Sequence, residues 1–410
     1  MKKTIFKWMT IVMVAIVSVC FISCDDDDND NDKNNQEETA NVKNVDGVLI
    51  VNVKTAGTFE SLIGTSKKYL TDKLKVSGPL NGDDIRSIRE MMITANGGRL
   101  ESLNMADASI VEGGEPYKVS FDKARTRGEV PLTTHNNFIS ESMFEDCDAL
   151  QELVLPNSVV RISHYMFGYG FGSNIRKITI GRSTVGSIDH QDDDVLGVLA
   201  WMDKLEEIKV HAENPKFASV NGIMYNKDKT VLYNVPPKCK QSLAFPNSLK
   251  TIAGYAFRGY SASSIKLPSS VERLENRAFM YSEFKTIDIG SVSEIGNTVF
   301  FGCDKTESII LSESLTWIPD DTFRSCKLLS TISLPKSIRL IGKYVFHSCD
   351  NLNSIYMESS NPPAPTSDVT NIGDVFTFVT YENIKLYVPK GSKSKYSSTI
   401  PWNGLKIIEI

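Results

Sequence analysis

Hydrophobic side chains recur at a fixed period through much of the C-terminal half of the chain. The repeating unit is 21 to 23 residues long, and one copy contains Ile332, Leu334, Ile341, Phe346 and Cys349. The aliphatic anchor Ile341 follows Leu334 by seven residues, and Phe346 follows that anchor by five. Other copies keep this register: Leu153, Leu155, Ile162 and Phe167; Ile265, Leu267, Leu274 and Phe279; Ile309, Leu311, Ile318 and Phe323. A period of this length is typical of a solenoid.

The spacing predicts one coil per repeat. The apolar alternation, as at Leu153 and Leu155, has a period of two and predicts a short strand. The phenylalanine is expected in a turn or short helix on the far side of the coil. One coil cannot bury its own apolar residues, so stacked coils at a strand spacing of ~4.8 Å would share a continuous core. Proline cannot donate to a strand ladder, so four prolines are expected to end these strands: Pro156, Pro246, Pro268 and Pro335.

One copy of the repeat motif comprises Leu329 to Pro335, Ser337, Ile338, Ile341, Phe346 and Cys349. This motif resembles the repeat of the BspA-like leucine-rich repeat proteins, a family of bacterial surface proteins. A longer variant of the family repeat is similar to residues 214–225. The resemblance extends over about residues 136–410, with an insertion near residues 181–204. It implies a β-rich α/β fold, namely a right-handed leucine-rich repeat solenoid with an N-terminal α/β capping module and a C-terminal cap.

The chain divides into five predicted segments. They are a lipoprotein signal peptide (1–24), an acidic disordered tether (25–45), an N-terminal capping module (46–135), the leucine-rich repeats (136–360) and a C-terminal capping repeat (361–410).

The two ends of the repeats are predicted to be covered. In the N-terminal module, strands are expected at Val48–Val53, Leu74–Ser77 and Leu100–Met105, and a helix from Asn81 to about Thr94. A solenoid needs its first coil covered, which favours a capping role for this module. At the other end, the closing coil of the family resembles Asn361–Pro363, Leu386–Gly391 and Trp402.

The first 24 residues have the pattern of a targeting segment. Three lysines precede an apolar run from Trp8 to Ile22, which is too short for a comfortable membrane span. Cys24 follows the small residue Ser23, and this ending resembles a bacterial lipobox. The resemblance implies that Cys24 is lipidated and becomes the mature N-terminus. The alternative is an ordinary signal peptide with an unrelated cysteine.

Four acidic residues follow that cysteine directly: Asp25, Asp26, Asp27 and Asp28. Their position beside Cys24 resembles the surface-export signal of lipoproteins in Bacteroides-like bacteria. The alternative is a solvated, disordered tether, since runs of like charge repel one another. The two interpretations are compatible, because an export signal can also be disordered.

The charge of the chain is concentrated at its N-terminus. The net charge of −5 comprises +3 in the targeting segment and −6 in residues 25–45, which leaves −2 for residues 46–410. A nucleic-acid-binding domain normally carries a basic face. The nearly neutral remainder therefore argues against nucleic acid as a partner.

The cysteines indicate a structural role. Cys303, Cys326 and Cys349 are 23 residues apart and are predicted to stack as a ladder in successive coils. Five cysteines follow Cys24, and an odd number cannot pair fully. A free cysteine packs as a small hydrophobe. A metal ladder is the alternative, but no histidines recur beside these cysteines, so neither a metal site nor a cofactor is predicted.

No enzymatic signature is present in the sequence. The glycines at 168–173 look like a dinucleotide loop but lack its last glycine, and a turn with extra glycines is the simpler interpretation. One compact polar cluster, Asp189 to Asp194, lies in the insertion. An exposed acidic loop is the favoured interpretation, and calcium binding there is a testable hypothesis.

We therefore expect a lipid-anchored protein of the outer membrane, exposed at the cell surface, that binds another macromolecule and is not an enzyme. The family resemblance implies adhesion to host proteins or other cells; glycan capture for an uptake system is the alternative. The membrane would be contacted through the lipid anchor alone. Ligand contacts are expected among outward strand positions, which mix charges and show no aromatic stripe: Gln151, Glu152, Arg176, Lys177, Glu206, Glu207, Lys209, Lys285, Asp288, Glu307 and Tyr356.

Overall fold

The N-terminal part of the protein alternates strands and helices. The computed structural model describes residues 41–121, 129–168, 173–187 and 197–410. Its first elements are β1 (Val42–Val45), β2 (Val48–Asn52), α1 (Phe59–Lys68), β3 (Lys73–Leu80), α2 (Gly82–Met92) and β4 (Ser102–Ile110). The elements β2, β3, α2 and β4 lie where the sequence predicts strands and a helix. Helix α1 has no counterpart in the sequence prediction.

The strand β1 corrects the boundary that the sequence gives for the tether. The sequence predicts that Val42–Val45 belongs to the tether, but this strand pairs antiparallel with β2. Asp46 and Gly47 form the connection, and both have positive φ, at 49° and 78°. An Asp-Gly pair with two positive φ values is the favoured two-residue connection of a β-hairpin. The folded part therefore begins before residue 46.

Helix α2 begins at a well-formed cap. The side-chain oxygen of Asn81 accepts hydrogen bonds from the backbone N–H groups of Asp83 at 3.1 Å and Asp84 at 3.3 Å. The carboxylate of Asp84 accepts one from the backbone N–H of Asn81 at 2.9 Å. This reciprocal arrangement satisfies N–H groups that have no partner within the helix.

The remaining elements follow in chain order. The strands are β5 (Lys118–Phe121), β6 (Glu129–Leu132), β7 (Phe138–Ile139), β8 (Glu152–Val154), β9 (Arg161–Ile162), β10 (Lys177–Ile180), β11 (Gly186–Ser187), β12 (Glu207–Val210), β13 (Phe217–Val220), β14 (Ile223–Asn226), β15 (Val231–Asn234), β16 (Thr251–Ile252), β17 (Ser264–Lys266), β18 (Arg273–Leu274), β19 (Thr286–Asp288), β20 (Glu294–Ile295), β21 (Ser308–Ile310), β22 (Trp317–Ile318), β23 (Thr331–Leu334), β24 (Leu340–Ile341), β25 (Ser354–Met357), β26 (Ala364–Pro365), β27 (Lys385–Val388) and β28 (Lys406–Glu409). Helix α3 (Lys393–Ser397) lies between the last two strands, and short 3-10 helices occur at Thr94–Asn96, Gly197–Trp201, Ile372–Asp374, Tyr381–Asn383 and Trp402–Gly404.

Most coils contribute one strand to each of two separate ladders. The first ladder contains the apolar alternation and comprises β8-β10-β12, β17-β19-β21 and β23-β25-β27-β28. The second ladder contains the aliphatic anchor five residues before the phenylalanine and comprises β7-β9-β11, β16-β18-β20 and β22-β24-β26. Pairing between successive coils is parallel in both ladders. The sequence predicts the first ladder only, because a two-residue strand is too short to show a period.

The first ladder continues directly from the N-terminal strands. One seven-stranded sheet has the order β1-β2-β3-β4-β8-β10-β12. Strand β4 pairs parallel with β8, and Leu103 lies opposite Leu153. The N-terminal elements therefore share a hydrogen-bonded sheet with the first coils.

One predicted strand is absent. No strand precedes Pro246, although the sequence predicts that this proline ends one. The antiparallel strands β13, β14 and β15 lie just before this coil, and β15 pairs parallel with β16 of the second ladder. This longer unit supplies the second ladder with a strand while the first ladder is interrupted between β12 and β17.

The phenylalanine turns form a third set of contacts between coils. The backbone N–H of Phe279 donates to the carbonyl of Val299 at 2.9 Å, and that of Phe300 donates to Thr322 at 3.0 Å. The residue two before the phenylalanine has positive φ in five successive coils, from Tyr255 before Phe257 to Tyr344 before Phe346, as at Arg277 with 65°. This left-handed residue turns alternate backbone groups toward the next coil, so we call the set the turn ladder.

The phenylalanine side chains stack along the turn ladder. Centroids of adjacent rings lie 4.7 to 5.7 Å apart. The stack contains Phe257, Phe279, Phe300, Phe323, Phe346 and Phe376, all of which are buried. Aromatic pairs in such arrangements contribute beyond their buried area. The stack confirms the prediction that the phenylalanine lies in a turn.

The buried residues form two clusters, whereas the sequence predicts a single continuous core. One cluster extends from Leu49 to Met224 and the other from Ile223 to Leu405. They meet at strand β14, where Met224 and Ile223 point to opposite sides because side chains alternate along a strand. The antiparallel unit β13–β15 thus separates the two cores. No helix among the described residues has the length and hydropathy to cross a membrane.

Candidate functional site

A groove of about 1220 Å³ crosses the second ladder. It is lined by residues of β15, β18, β20 and β22, by Ala253, Gly254 and Tyr255 directly after β16, and by the 3-10 helix Gly197–Trp201 at one end. Five neighbouring strands at ~4.8 Å spacing give it a length of roughly 19 Å. Small residues line its middle, among them Ala253, Gly254 and Gly296. The groove can therefore accept an elongated ligand across several coils.

One end of the groove is fixed by an arginine. Arg258 follows Phe257 in the turn ladder, and its guanidinium lies 4.0 Å from the ring centroid of Trp201. It also donates hydrogen bonds to the carbonyl of Ala200 at 3.0 Å and to the carboxylate of Asp203 at 2.7 Å. These contacts join the inserted 3-10 helix Gly197–Trp201 to the neighbouring coil. The wall of the groove is therefore held in place by the mostly buried side chain of Arg258.

The aromatic faces at this end are engaged. Trp201 packs against Tyr255, with ring centroids 5.8 Å apart, and Arg258 covers Trp201. The guanidinium of Arg277 lies 5.7 Å from the ring of Tyr255. A sugar ring normally stacks on an open aromatic face, so this end is poorly suited to sugar stacking.

The middle of the groove carries charges of both signs. Arg273 and Glu294 occupy adjacent strands of the second ladder and form an ion pair at 3.3 Å. The Glu275 carboxylate accepts a hydrogen bond from the backbone N–H of Gly254 at 3.2 Å. Both members of the pair are mostly exposed, so each can exchange its present partner for a group on a ligand at small cost.

The far end of the groove is apolar. Trp317 lines it and is 42% exposed. Leu340 and Ala364 lie in register beside Trp317 on the next two strands, and Leu340 is also 42% exposed. Large exposed apolar side chains in one row mark interaction sites more often than single ones do. We call this row the apolar strip.

The repeat pattern does not predict these residues as a site. The predicted ligand contacts lie on the first ladder, whereas the groove crosses the second. The sequence nevertheless contains a signal for this face. Side chains alternate between the two faces of a strand, so the residue just before each buried aliphatic anchor points outward. Reading that column along the repeats gives Thr251, Arg273, Glu294, Trp317 and Leu340.

Most of the predicted contact positions on the first ladder form ion pairs. Lys177 donates to Glu152 at 2.7 Å across neighbouring strands. Other pairs are Arg176–Glu206 at 3.6 Å, Lys209–Glu207 at 3.4 Å and Lys285–Glu307 at 4.0 Å, and Asp288 pairs with Lys266 at 3.2 Å. A smaller depression of about 390 Å³ lies among Lys177, Glu206 and Glu207. Opposite charges in register are typical cross-strand pairs, which accounts for much of this face without a ligand.

The three regularly spaced cysteines are buried in the turn ladder. The thiols of Cys303, Cys326 and Cys349 donate to carbonyls of preceding coils at 3.1 to 3.3 Å. Burial raises the pKa of Cys326 well above its usual value and that of Cys349 to about 12. A neutral thiol is a poor nucleophile and a poor metal ligand. All five cysteines of the described residues are free.

Several predicted sites lie outside the described residues. These are Cys24, the acidic run Asp25–Asp28 and the acidic loop at 189–194. The glycine-rich segment 168–173 is described only at its two ends. Within the described part of the chain, no three His, Cys, Asp or Glu side chains are grouped so as to hold a metal ion.

Comparison with solved structures finds bacterial leucine-rich repeat proteins. One from Eubacterium ventriosum is 16% identical with a TM-score of 0.48, and the match covers 89% of each chain. One from Bacteroides ovatus is 16% identical with a TM-score of 0.43, covering 90% of this chain and 97% of the other. The pneumococcal vaccine antigen PcpA is 16% identical with a TM-score of 0.40, covering 83% of this chain and 79% of the other. No curated protein matches the sequence.

A family comparison places the repeats in a known family. A family model described as the BspA type leucine-rich repeat region matches in six copies, over residues 118–191, 237–353 and 273–384. These ranges include both the first coils and the stacked phenylalanines. Together they span more than half of the sequence, and the chain therefore belongs to the family of BspA type leucine-rich repeat proteins.

Proposed function

We propose that this protein acts at the cell surface by binding another protein through the groove and the apolar strip. The observation that carries the proposal is the combination of the exposed Trp317–Leu340 row with a mixed-charge groove that crosses five strands. Protein interfaces combine an apolar centre with a polar rim, and tryptophan and arginine are enriched at their centres. The role is adhesion to a host protein or to another cell, without catalysis.

The location of the protein follows from its leader. Lipidation of Cys24 would anchor the chain in the outer membrane, because several acyl chains hold a protein where one does not. The acidic run from Asp25 to Asp28 would direct export and then serve as part of the tether. The repeats would thereby lie outside the cell, where an adhesive surface meets its partner.

The alternative function is glycan capture. Trp317 favours it, because an exposed tryptophan can stack on a sugar ring. The aromatic pair at the opposite end of the groove weighs against it at this site, since Arg258 and Arg277 lie over Trp201 and Tyr255. We therefore rank protein binding first for the groove.

A binding assay with groove variants tests the proposal. Residues 25–410 would be presented to immobilised extracellular-matrix proteins and to whole cells. Thr316→Arg places a bulky side chain at an exposed position of the groove, and Trp317→Ala removes the anchor of the apolar strip. We expect each to weaken binding at least tenfold, in line with the loss of an interface anchor of about 1.4 kcal/mol or more.

The matched control is Lys285→Ala, an exposed change on the first ladder. It should leave binding unchanged. If no matrix protein or cell binds, or if Lys285→Ala weakens binding as much as the groove variants do, the proposed protein-binding role of the groove is wrong.

The anchor and the export signal need a test in the native cell. Surface labelling would be compared between the unaltered protein, Cys24→Ala, and a variant with serine at residues 25 to 28. We expect the first change to release the protein from the membrane and the second to leave it anchored but inaccessible to the label. Unchanged labelling of the serine variant would disprove the export role of the acidic run.

A further inference from the structure

Two tyrosines stack on the outward face of the first ladder, on the side of the coil that the groove does not use. Tyr356 of β25 lies in register with Tyr387 of β27, and their ring centroids are 4.5 Å apart with planes inclined by 8°. Side chains in register on parallel strands are separated by one strand spacing of ~4.8 Å, which suits ring stacking. Tyr387 therefore holds the Tyr356 ring upright on the sheet.

The second face of Tyr356 borders a slot. The neighbouring strand β23 presents Ser333 at the position in register with Tyr356. The strand before it, β21, presents Ile310 at the same point of the repeat, and Ile310 is 50% exposed. Ile310 and Ser333 are one repeat of 23 residues apart, and β21 contacts β23. The short serine between Ile310 and Tyr356 leaves room for a flat group. Among the described residues, no ring or cation is stacked on this face of Tyr356.

One rim of the slot is polar. The hydroxyl of Ser333 donates to the carboxylate of Glu358 at 3.0 Å. Glu358 is exposed and has no ion-pair partner among the described residues, unlike the acidic residues further back on the same ladder. A carboxylate has about four lone-pair positions, so it can accept further hydrogen bonds while it holds the serine.

We propose that this slot binds a sugar ring of an oligosaccharide. The ring would lie between Tyr356 and Ile310, with its C–H face against the tyrosine and its hydroxyl groups donating to Glu358 and exchanging hydrogen bonds with Ser333. A stacked nucleobase fits less well, because its phosphate would meet the Glu358 carboxylate. A sugar presents an apolar face and a row of hydroxyl donors, and the slot offers the complement of both.

An oligosaccharide array tests the proposal. Residues 25–410 would be applied to immobilised host, plant and microbial oligosaccharides, and the strongest binder would then be titrated calorimetrically. Tyr356→Ala should lower its affinity about tenfold or more through the loss of the stacking face, and Glu358→Gln about fivefold, because a neutral amide is a weaker acceptor than a carboxylate. Both positions are exposed, and circular dichroism would confirm that the variants are folded.

The matched control is Tyr281→Ala, which removes a tyrosine of similar exposure (42%) from the turn ladder. It should bind the same sugar with unchanged affinity. An array without any binding, or a sugar whose affinity is the same for Tyr356→Ala and the unaltered protein, would overturn the assignment. The groove's protein-binding role is measured separately with Thr316→Arg, so either proposal can fail while the other stands.

Discussion

The guanidinium of Arg89, on helix α2, donates a hydrogen bond of 2.8 Å to the backbone carbonyl of Ser142 in the first phenylalanine turn. It also donates to the carbonyls of Met143 at 2.7 Å and Glu145 at 2.9 Å. In later coils the equivalent carbonyls accept from the coil before them, as Arg277 does from the N–H of Tyr255. The first turn has no preceding coil, so one buried arginine replaces the missing backbone donors.

Replacement of Arg89 should uncouple the N-terminal module from the repeats. Arg89→Leu removes a hydrogen bond from each of three carbonyls and leaves that of Met143 without another donor among the described residues. Arg89 is only 5% exposed, so water reaches these carbonyls poorly. We expect a loss of about 3 kcal/mol in the free energy of unfolding, in keeping with the penalty for buried unpaired groups. Urea denaturation followed by circular dichroism measures it, with an early separate transition for the N-terminal part.

The comparison variant is Arg99→Ala. Arg99 pairs with Asp72 at the protein surface, where ion pairs contribute little. Its denaturation curve should overlay that of the unaltered protein. Similar curves for Arg89→Leu and Arg99→Ala would show that the carbonyl contacts do not couple the two parts.

The phenylalanine stack should carry much of the stability of the second core. Phe323 lies in the middle of the stack, between Phe300 and Phe346, and is fully buried. Phe323→Ala should cost about 3–5 kcal/mol, the usual range for a buried phenylalanine. Phe378→Ala removes a ring that is 80% exposed and should change the urea midpoint little. Equal midpoints for the two variants would contradict a structural role for the stack.

Thiol reactivity separates the buried cysteines from Cys239. Cys239 is partly exposed, whereas the other four cysteines of residues 25–410 are buried. In a chain beginning at residue 25, an aromatic disulfide reagent should modify one thiol quickly in the folded protein and all five after unfolding. Cys239→Ala should abolish the fast phase. Rapid reaction of several thiols in that variant would show that the cysteines of the turn ladder are accessible.

The same thiols should make the fold less stable in alkali. Burial raises the pKa of Cys147 and Cys349 from 9.0 to about 12. Between these pKa values the unfolded chain loses thiol protons that the folded chain keeps, so the free energy of unfolding falls as pH rises above about 9. Urea midpoints at pH 7 and pH 10 measure the effect. Cys349→Ser should lessen the difference, because the serine hydroxyl does not ionise in this range.

The sequence predicts the coil well at positions where every repeat needs the same residue type for the same buried contact. Phe346 and Ile341 recur because each coil needs the same buried ring and the same anchor, so their spacing is visible in one chain. The second ladder escaped prediction because a strand such as Arg273–Leu274 is two residues long and shows no period. The strand expected before Pro246 is absent, since the antiparallel strands β13 to β15 interrupt the first ladder there.

The groove was beyond prediction for a different reason. Its end depends on Arg258 reaching Trp201 and Asp203 from more than 50 residues away in the chain, and no local pattern encodes that contact. The outward positions that include Trp317 can be listed from the sequence. They indicate a common surface only when the second ladder is known to exist. Contacts within one period are therefore predictable here, and contacts between an insertion and a coil are not.

The arginine at the end of the groove should hold the segment around Trp201 in place. The Arg258 side chain is 13% exposed and links Trp201, Ala200 and Asp203 to the turn ladder. Arg258→Ala removes all three contacts and should speed proteolytic cleavage within residues 197–204. Limited proteolysis with mass spectrometry locates the cut. Arg258→Lys keeps the charge but lacks the planar group that stacks on an indole, so it should protect the segment only in part.

The matched control is Lys204→Ala, since Lys204 is exposed and contacts Asn174 instead. This change should leave the cleavage rate as it is. Equal rates for Arg258→Ala and Lys204→Ala would show that Arg258 does not fix the wall of the groove.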